Sequence, residues 1–186
     1  VLTVDEIKSS LRKMVIKSQI YPVFCGSSLG NIGVQKLLDG VVAYLPNPHD
    51  KGAGLGHKPD GTEITLDVNE NEPFTALAFK VQTDAYVGRL TYFRVYSGKI
   101  AAGNYILNST KNKKERLSRI LMMHANHREE AKEIKVGEIA AAVGLDATTG
   151  DTLCLEDNPI ILESINFAEP VIGLVVEPKT KADRDK

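Results

Sequence analysis

The spacing of the apolar residues changes once along this chain, and that change most limits its fold. In residues 4–15 and 34–45 the apolar residues recur every three or four positions, as on one face of a helix. From Phe74 onward they alternate, which is the period of a β-strand with one buried face. Short alternating segments then follow one another with turn residues between them. The pattern predicts a mainly β fold, a small antiparallel barrel or sandwich preceded by an α/β segment.

The first part of the chain has the order helix, strand, helix. A helix is predicted over residues 3–18, where Thr3 and Glu6 form a T-x-x-E capping box. The apolar run "IYPVFCGS" predicts a buried strand, and a second helix follows with Asn31 as its cap and two prolines after its end. One strand and two helices cannot close a sheet, so this part is expected to be the tail of a larger α/β domain.

A barrel is predicted from about Phe74 to about Ile165, after a stretch rich in Gly, Pro, Asp and Asn (residues 47–73) that is typical of a linker. The pair Gly103-Asn104 is expected to turn a hairpin. The predicted core residues of the barrel are Leu77, Phe79, Phe93, Val95, Leu107, Ile139 and Val143.

One predicted strand, "RLTYFRVYSG", has an unusual second face. Its first face is suited to a core, whereas the second places Arg94 between Tyr92 and Tyr96. Such a face forms a cross-strand ladder with cation–π contacts, or it binds a partner such as RNA or another domain. The sequence leaves both interpretations open.

Charge and cysteine content limit the classes of function. The formal net charge is −1, so any basic patch must be local and balanced by acid elsewhere, and general polyanion binding is excluded. The two cysteines, Cys25 and Cys154, lie in apolar runs, which argues against a disulfide framework and makes a reducing cytosolic compartment the expectation. The apolar runs are too short to span a bilayer.

Motifs for catalysis, nucleotide binding or metal binding are incomplete. The chain has no G-x-S-x-G, no H-E-x-x-H and no G-x-x-x-x-G-K-[ST] phosphate loop. "GAGLG" lacks the glycine spacing of a dinucleotide site and is better explained as linker. "HANH" places His124 and His127 three residues apart, but no further ligand pair completes a metal site, so no metal is expected.

The segment "KNKKERLSR", residues 111–119, is rich in cations. On charge alone, a solvated hairpin tip is favoured over a finger that contacts phosphates.

Several long strings in the chain resemble bacterial elongation factor G, a family of translational GTPases. They include "PVFCGSSLGNIGVQKLLDGVVAYLPNP", "EPFTALAFKVQTDAYVGRLTYFRVYSGKI", "RILMMHANHREE" and "GEIAAAVGLDATTGDTLC". The phrase "FRVYSGKIAAG" resembles the signature of the second domain of these GTPases, in which an R-V-x-S-G hairpin leads a β-barrel.

The resemblance implies a domain organisation. Residues 1–48 would be the C-terminal remnant of a GTPase domain, 49–72 a linker or loop, 73–168 the domain II barrel, and 169–186 the start of a third domain. The apolar segment of residues 170–178 would be a strand whose sheet partners lie in that third domain. We expect it to pair with a neighbouring copy, giving weak self-association, or to lie along an edge of its own molecule.

The resemblance also implies site residues. The last guanine-contacting turn of the family corresponds to Gly26, Ser27 and Ser28, an incomplete nucleotide site. No catalytic residue and no cofactor are expected in this chain, whereas GTP and Mg²⁺ would belong to the full-length parent. The expected contacts to small-subunit ribosomal RNA are Arg89, Arg94, Lys111, Lys113, Lys114 and Arg116.

The resemblance therefore implies a non-catalytic docking module from a ribosomal translocase of the cytoplasm. This module would contact the ribosome and the other domains of the parent factor, but no membrane. Two alternatives remain. The barrel could come from a related ribosome-protection or release-type GTPase, or it could be a stand-alone RNA- or protein-binding barrel.

Overall fold

The computed structural model describes residues 2–52, 54–84, 86–125, 127–162, 171–175 and 177. The chain divides into two compact units, Val1–Gly52 and Ala53–Lys186, and each is described by itself. Within the part of the chain that the structure describes, no helix has the length and apolar character needed to cross a membrane.

The first helix, α1 (Val4–Ile16), begins at the predicted capping box. The Thr3 hydroxyl accepts a hydrogen bond from the Glu6 amide at 3.3 Å, and the Thr3 amide donates to the Glu6 carboxylate at 2.7 Å. Two amides that a helix start leaves without partners are thereby satisfied, which fixes where α1 begins.

The second helix, α2 (Val34–Tyr44), confirms the helical period but corrects its start. Its cap is Gly33, at φ +78°, rather than Asn31. The preceding run "IYPVFCGS" is not a buried strand: Tyr21 and Val23 are 80% and 89% exposed, and its one β contact is an isolated bridge between Ser27 and Ile32. An apolar run forms a buried strand only beside neighbouring strands, and none pairs with it among the described residues.

The segment predicted as a linker contains regular structure. In the first unit, α3 (Pro48–Lys51) follows Asn47, whose side chain accepts from the Asp50 amide at 2.9 Å. In the second unit, β1 (Gly54–His57) and β2 (Glu63–Leu66) form an antiparallel hairpin. The Gly and Pro residues predicted the turns correctly, but they gave no indication of the short helix and strands between those turns.

The second unit is mainly β and antiparallel. Its further strands are β3 (Thr75–Asp84), β4 (Gly88–Ser97), β5 (Lys99–Ala101), β6 (Tyr105–Asn108), β7 (Lys113–Arg116), β8 (Ile120–His124), β9 (His127–Ala131), β10 (Glu133–Lys135), β11 (Ile139–Val143), β12 (Thr152–Cys154) and β13 (Ile161–Leu162). The largest sheet has the order β7-β6-β12-β3-β4-β11-β8-β9, while β5 pairs with β10 and β13 pairs with β1.

The largest sheet curls around one core. Ile106 of β6, near one end of the sheet, and Ile120 of β8, near the other, belong to the same buried cluster. A flat sheet would keep these residues apart, so the shared cluster shows a barrel-like closure. Phe93 belongs to this cluster and is fully buried, as the alternation in β4 predicts.

The predicted core was right for β4 and wrong for the other strands. Phe93 and Val95 are buried, but in β3 the inward residues are Ala76 and Ala78. The five remaining predicted core residues lie on the outer face, half-buried or exposed: Leu77, Phe79, Leu107, Ile139 and Val143. The core already holds many large side chains from other parts of the chain, among them Phe74, Phe93 and Ile106, so the small side chains of Ala76 and Ala78 occupy the inward positions of β3.

The outer face of the sheet is also partly apolar, which explains why the sequence pattern predicted the wrong core residues. Leu77 packs against a second cluster of Leu66, Ile160 and Leu162. Val143 packs against a third, formed by Leu90, Leu121 and Ala141. A strand that is covered on both faces carries apolar residues at both odd and even positions. The alternation alone therefore does not identify which face points into the barrel.

The turn at Gly98 brings two chain segments into close contact. Gly98 lies at φ +67°, and a Cβ placed there would be 2.3 Å from the Glu72 carbonyl oxygen and 2.7 Å from the Phe74 amide nitrogen. Its own amide donates to the Asn69 carbonyl at 2.9 Å. Only glycine fits this position without displacing backbone, which gives the S-G of "RVYSG" a structural reason.

The Gly103-Asn104 turn exists but does not make the predicted hairpin. Gly103 lies at φ +90°, yet β5 and β6 on either side of it pair with β10 and with β7 and β12. The turn therefore passes the chain between two sheets. Local sequence identifies a turn well, but the partners of the flanking strands are decided by distant residues.

Residues 171–175 of the apolar tail are exposed, and no β-ladder joins them to the rest of the described chain. The described part of the tail therefore does not lie along an edge of its own molecule. The remaining tail residues of the prediction, 170, 176 and 178, lie outside the described residues.

Candidate nucleic-acid interface

The basic segment, here called the basic hairpin (residues 111–116), consists of the end of the turn after β6 and the strand β7, which pairs with β6. Its turn includes Asn112 at φ +49°, and Asn108 accepts a hydrogen bond from the Lys111 amide at 3.1 Å. The side-chain nitrogen of Asn108, Nδ2, donates a hydrogen bond to the buried Asp151 carboxylate at 2.8 Å. The hairpin is thus fixed to the barrel by a buried polar contact, so its cations project from a defined position.

Three of the predicted contact residues converge on Asp146, in the loop between β11 and β12. Lys113 Nζ lies 2.8 Å from Asp146 Oδ2, and Arg89 Nη1 lies 3.2 Å from Asp146 Oδ1. Lys111 Nζ donates to the Asp146 backbone carbonyl at 3.1 Å. These cations come from the start of β4 and from the basic hairpin, and tertiary structure alone brings them together.

The clustering of charges around Asp146 shifts the pKa values of Asp146 and Lys113. The pKa of Asp146 is lowered, first by the hydrogen bond from Lys113 and then by the positive charges of Lys113, Lys111 and Arg89. The pKa of Lys113 is raised, mainly by its hydrogen bond to Asp146. Both shifts show that this location favours an anion among cations.

Asp151 is the second acid of the loop, and it is nearly fully buried. It accepts hydrogen bonds from the Thr148 amide and hydroxyl at 2.8 and 2.9 Å, and Lys111 Nζ lies 3.3 Å away. Burial opposes its ionisation, but these hydrogen bonds and the one from Asn108 outweigh burial and lower its pKa.

The other two hairpin cations lie on the opposite face of β7. Lys114 pairs with Glu156 and lies over the Tyr105 ring at 5.5 Å from its centre. Arg116 donates from Nε to the Gly103 carbonyl at 3.2 Å and forms no ion pair within the described residues. Alternation along the strand separates these two cations from Lys113, so the basic hairpin presents two surfaces rather than one.

Arg94 is separate from both groups. Its guanidinium carbon lies 5.7 Å from the centre of the Tyr96 ring, in a depression on the outer face of the sheet that Leu77, Phe79 and Ile139 also line. Lys80 lies similarly over Tyr92, at 5.4 Å. The unusual face of β4 is therefore a half-buried ladder with cation–π contacts, as one of the two interpretations predicts.

The predicted guanine-contacting turn lies in the first unit. Gly26, Ser27 and Ser28 line a cleft of about 250 Å³ together with Phe24, Cys25, Ile32, Gly33, Val34 and Leu37. The Ser27 amide donates to the Ile32 carbonyl at 2.9 Å, so it is engaged within the loop. A Cβ at Gly26 would lie 2.7 Å from the same carbonyl oxygen, which explains the glycine there.

The two histidines of "HANH" face each other across the β8–β9 hairpin. His124 Nε2 lies 3.9 Å from Glu129. In the ranges that the structure describes, no group of three or more His, Cys, Asp or Glu side chains is placed to hold a metal ion.

Sequence reasoning missed the acids that neutralise the cations: Asp146, Asp151 and Glu156. The one available signal was the net charge of −1, which requires acids to balance a local basic patch. The positions of those acids were not accessible, because Lys113 and Asp146 lie 33 residues apart in the chain.

Comparison with known proteins agrees with this fold. Residues 88–154 match the family model described as elongation factor Tu domain 2, a segment that includes the basic hairpin, Arg89 and Asp146. The fold is also similar to that of a crystal structure from Thermus thermophilus, with a TM-score of 0.68 and 21% sequence identity over 99% of this chain and 26% of that chain. The chain thus spans about a quarter of the length of that protein. Residues 88–154 thus have a barrel-like fold similar to elongation factor Tu domain 2.

Proposed function

We propose that this chain is part of an elongation factor G, the GTPase that moves transfer RNA and messenger RNA through the ribosome. The observation that carries the proposal is that a barrel of the elongation factor Tu domain 2 type and the long strings resembling elongation factor G occur in one chain. The fold similarity to the Thermus thermophilus protein covers 99% of the chain and so extends beyond the barrel.

In this proposal the chain docks and does not catalyse. The barrel contacts small-subunit ribosomal RNA and the other domains of the parent factor. Its proposed RNA contacts are Arg89, Lys111 and Lys113 at the Asp146 cluster, with Lys114 and Arg116 on the opposite face of β7. Arg94 contributes less in this view, because its guanidinium lies over Tyr96 among apolar side chains.

The residues of the chain do not fit a complete nucleotide site. A turn like that of Gly26, Ser27 and Ser28 supplies backbone contacts to a base, but the sequence has no phosphate loop to hold the phosphates and Mg²⁺. We therefore assign GTP and Mg²⁺ to the parent protein, and we derive no catalytic step from this chain.

Two alternatives make different predictions. A ribosome-protection or release-type factor would carry the same barrel, and the strings "HANHREE" and "PKTKADRDK" favour elongation factor G over it. A stand-alone RNA- or protein-binding barrel would not need the α/β segment. A reading frame with a phosphate loop upstream of residue 1 would exclude the stand-alone barrel.

The test is co-sedimentation of the chain with purified small ribosomal subunits, followed by chemical footprinting of the RNA. One variant replaces Lys111, Lys113, Lys114 and Arg116 with Ala. A matched variant replaces Lys8, Lys13, Lys17 and Lys36 of the first unit with Ala, which removes the same charge elsewhere. We expect weak, salt-sensitive binding that only the hairpin variant reduces strongly. Equal losses for both variants, or no binding at all, would contradict the docking role.

A further inference from the structure

The cluster around Asp146 has the arrangement of a phosphate site whose anion is supplied by the protein itself. Arg89 and Lys113 each contact one oxygen of the same carboxylate, at 3.2 and 2.8 Å. A phosphate group presents the same anionic oxygens to such donors, and a guanidinium beside an ammonium is a common way to bind it.

We propose that the Asp146 carboxylate occupies a phosphate-binding position formed by Arg89, Lys111 and Lys113, and that it competes with phosphate for these cations. The inference rests on the proposed contact between the basic hairpin and RNA, and it adds regulation: the chain limits its own affinity for phosphodiesters.

The charge balance supports competition. Three cations lie at the cluster, and three carboxylates neutralise them: Asp146, Asp151 and Glu115, whose Oε1 lies 3.6 Å from Lys113 Nζ. Association with a polyanion depends on uncompensated positive charge, so the surface as it stands attracts phosphate weakly. Of the three acids, only Asp146 has a largely exposed side chain, at 54%, whereas those of Asp151 and Glu115 are 5% and 9% exposed.

Each of the three cations has a contact other than the Asp146 carboxylate, and for Lys113 this contact is the Glu115 carboxylate, 3.6 Å away. Arg89 donates from Nη2 to the Ala147 carbonyl at 2.5 Å, and Lys111 is held by Asp151. The Asp146 backbone is fixed as well, because its neighbours Leu145 and Ala147 are buried in the core. A rotation of the Asp146 side chain alone would therefore expose the site, and exposed ion pairs of this kind are weak enough to exchange with a phosphate.

A purely structural role for Asp146 predicts the opposite result. If its carboxylate mainly ties the β11–β12 loop to the basic hairpin, then removing the charge loosens the cations and weakens phosphate binding. The two roles differ in the sign of one measured change.

The experiment compares the unaltered chain with Asp146→Asn and Asp146→Ser. The control is Glu133→Gln, an exposed carboxylate of β10 that forms no ion pair within the described residues. Circular dichroism confirms that each variant is folded, and two Asp146 variants are used so that a folded one is available. The probes are a short RNA duplex of non-ribosomal sequence and inorganic phosphate.

We expect the Asp146 variants to bind the duplex about three- to tenfold more tightly, with a salt dependence steeper by about one unit for each released cation. Glu133→Gln should change binding less than about twofold. Adding Lys113→Gln to Asp146→Asn should abolish the gain. Backbone amide NMR shifts at residues 145–147 on adding inorganic phosphate would show that a free ion suffices; shifts only with the duplex would assign the site to phosphodiesters.

Unchanged or weaker binding by folded Asp146 variants would overturn the proposal. Since neither probe contains ribosomal sequence, this outcome is independent of the docking role. Tighter duplex binding with no binding to small subunits would leave the Asp146 proposal standing and contradict the proposed function instead.

Discussion

The Asn108 amide donates a hydrogen bond to the Asp151 carboxylate at 2.8 Å, and both side chains are buried. This contact joins the base of the basic hairpin to the loop that carries Asp146. A buried carboxylate is tolerated only when its oxygens are hydrogen-bonded, and here Thr148 and Lys111 provide the other contacts. The position of the candidate interface therefore depends on a polar contact inside the barrel.

Asp151→Asn should destabilise the barrel at neutral pH by about 1–3 kcal/mol, because an amide cannot accept from all of these donors. The pKa of Asp151 is lowered in the folded state, so its ionised form stabilises the fold above the ordinary Asp pKa. That stabilisation is lost as the pH falls through the lower folded pKa. Urea unfolding at pH 7 and below about pH 4 should show a variant effect that shrinks in acid. Asp157→Asn, an exposed acid, is the control, and an equal effect at both pH values would contradict the assignment.

Phe93→Ala should reduce the free energy of unfolding by about 3–5 kcal/mol, because the side chain is fully buried in the core. Phe79→Ala is the matched control from the neighbouring strand. Its ring is half-buried on the outer face, so a loss of only about 1–2 kcal/mol is expected. Denaturant unfolding measures both, and equal losses would mean that the assignment of inner and outer faces is wrong.

Gly98→Ala should cost about 2–5 kcal/mol, from a positive φ and from the contact of the new methyl group with the Glu72 and Phe74 backbone. Gly61→Ala has a similar φ of +85° but no atom within 4 Å, so it isolates the conformational cost, about 1–2 kcal/mol. The difference between their melting temperatures measures the close contact. If Gly61→Ala were as harmful as Gly98→Ala, the contact would not explain the glycine.

The chain should not bind GTP. The turn of Gly26, Ser27 and Ser28 provides base contacts at most, and no phosphate loop accompanies it in the sequence. Titration with a fluorescent GTP analogue in the presence and absence of Mg²⁺ checks this. Saturable, magnesium-dependent binding would show that the missing motifs are replaced by other residues.

The apolar tail should produce weak, concentration-dependent association. Val171, Ile172, Leu174 and Val175 are 76–96% exposed, and an exposed apolar segment of this kind adds readily to the edge of another sheet. Sedimentation equilibrium over a concentration series should show dimerisation that removal of residues 170–186 abolishes. A strict monomer in both cases would rule out association through the tail.

Local residue patterns were sufficient to predict the class of fold and the strand β4. Alternation from Phe74 onward depends on local side-chain period, and the capping box at Thr3 and Glu6 depends on residues three apart, so both are readable without a structure. The basic hairpin was equally visible as a run of cations. All of these features involve neighbours in the chain.

Which faces lie inside, and which acids neutralise the cations, became known only from the folded chain. Ala76 and Ala78 face inward instead of Leu77 and Phe79 because the volume of the closed barrel is already filled by large side chains from other strands. Lys113 meets Asp146, 33 residues later in the chain, because β6, β7 and the β11–β12 loop meet at one side of the barrel. Volume and charge balance are properties of the folded whole, so no local pattern encodes them.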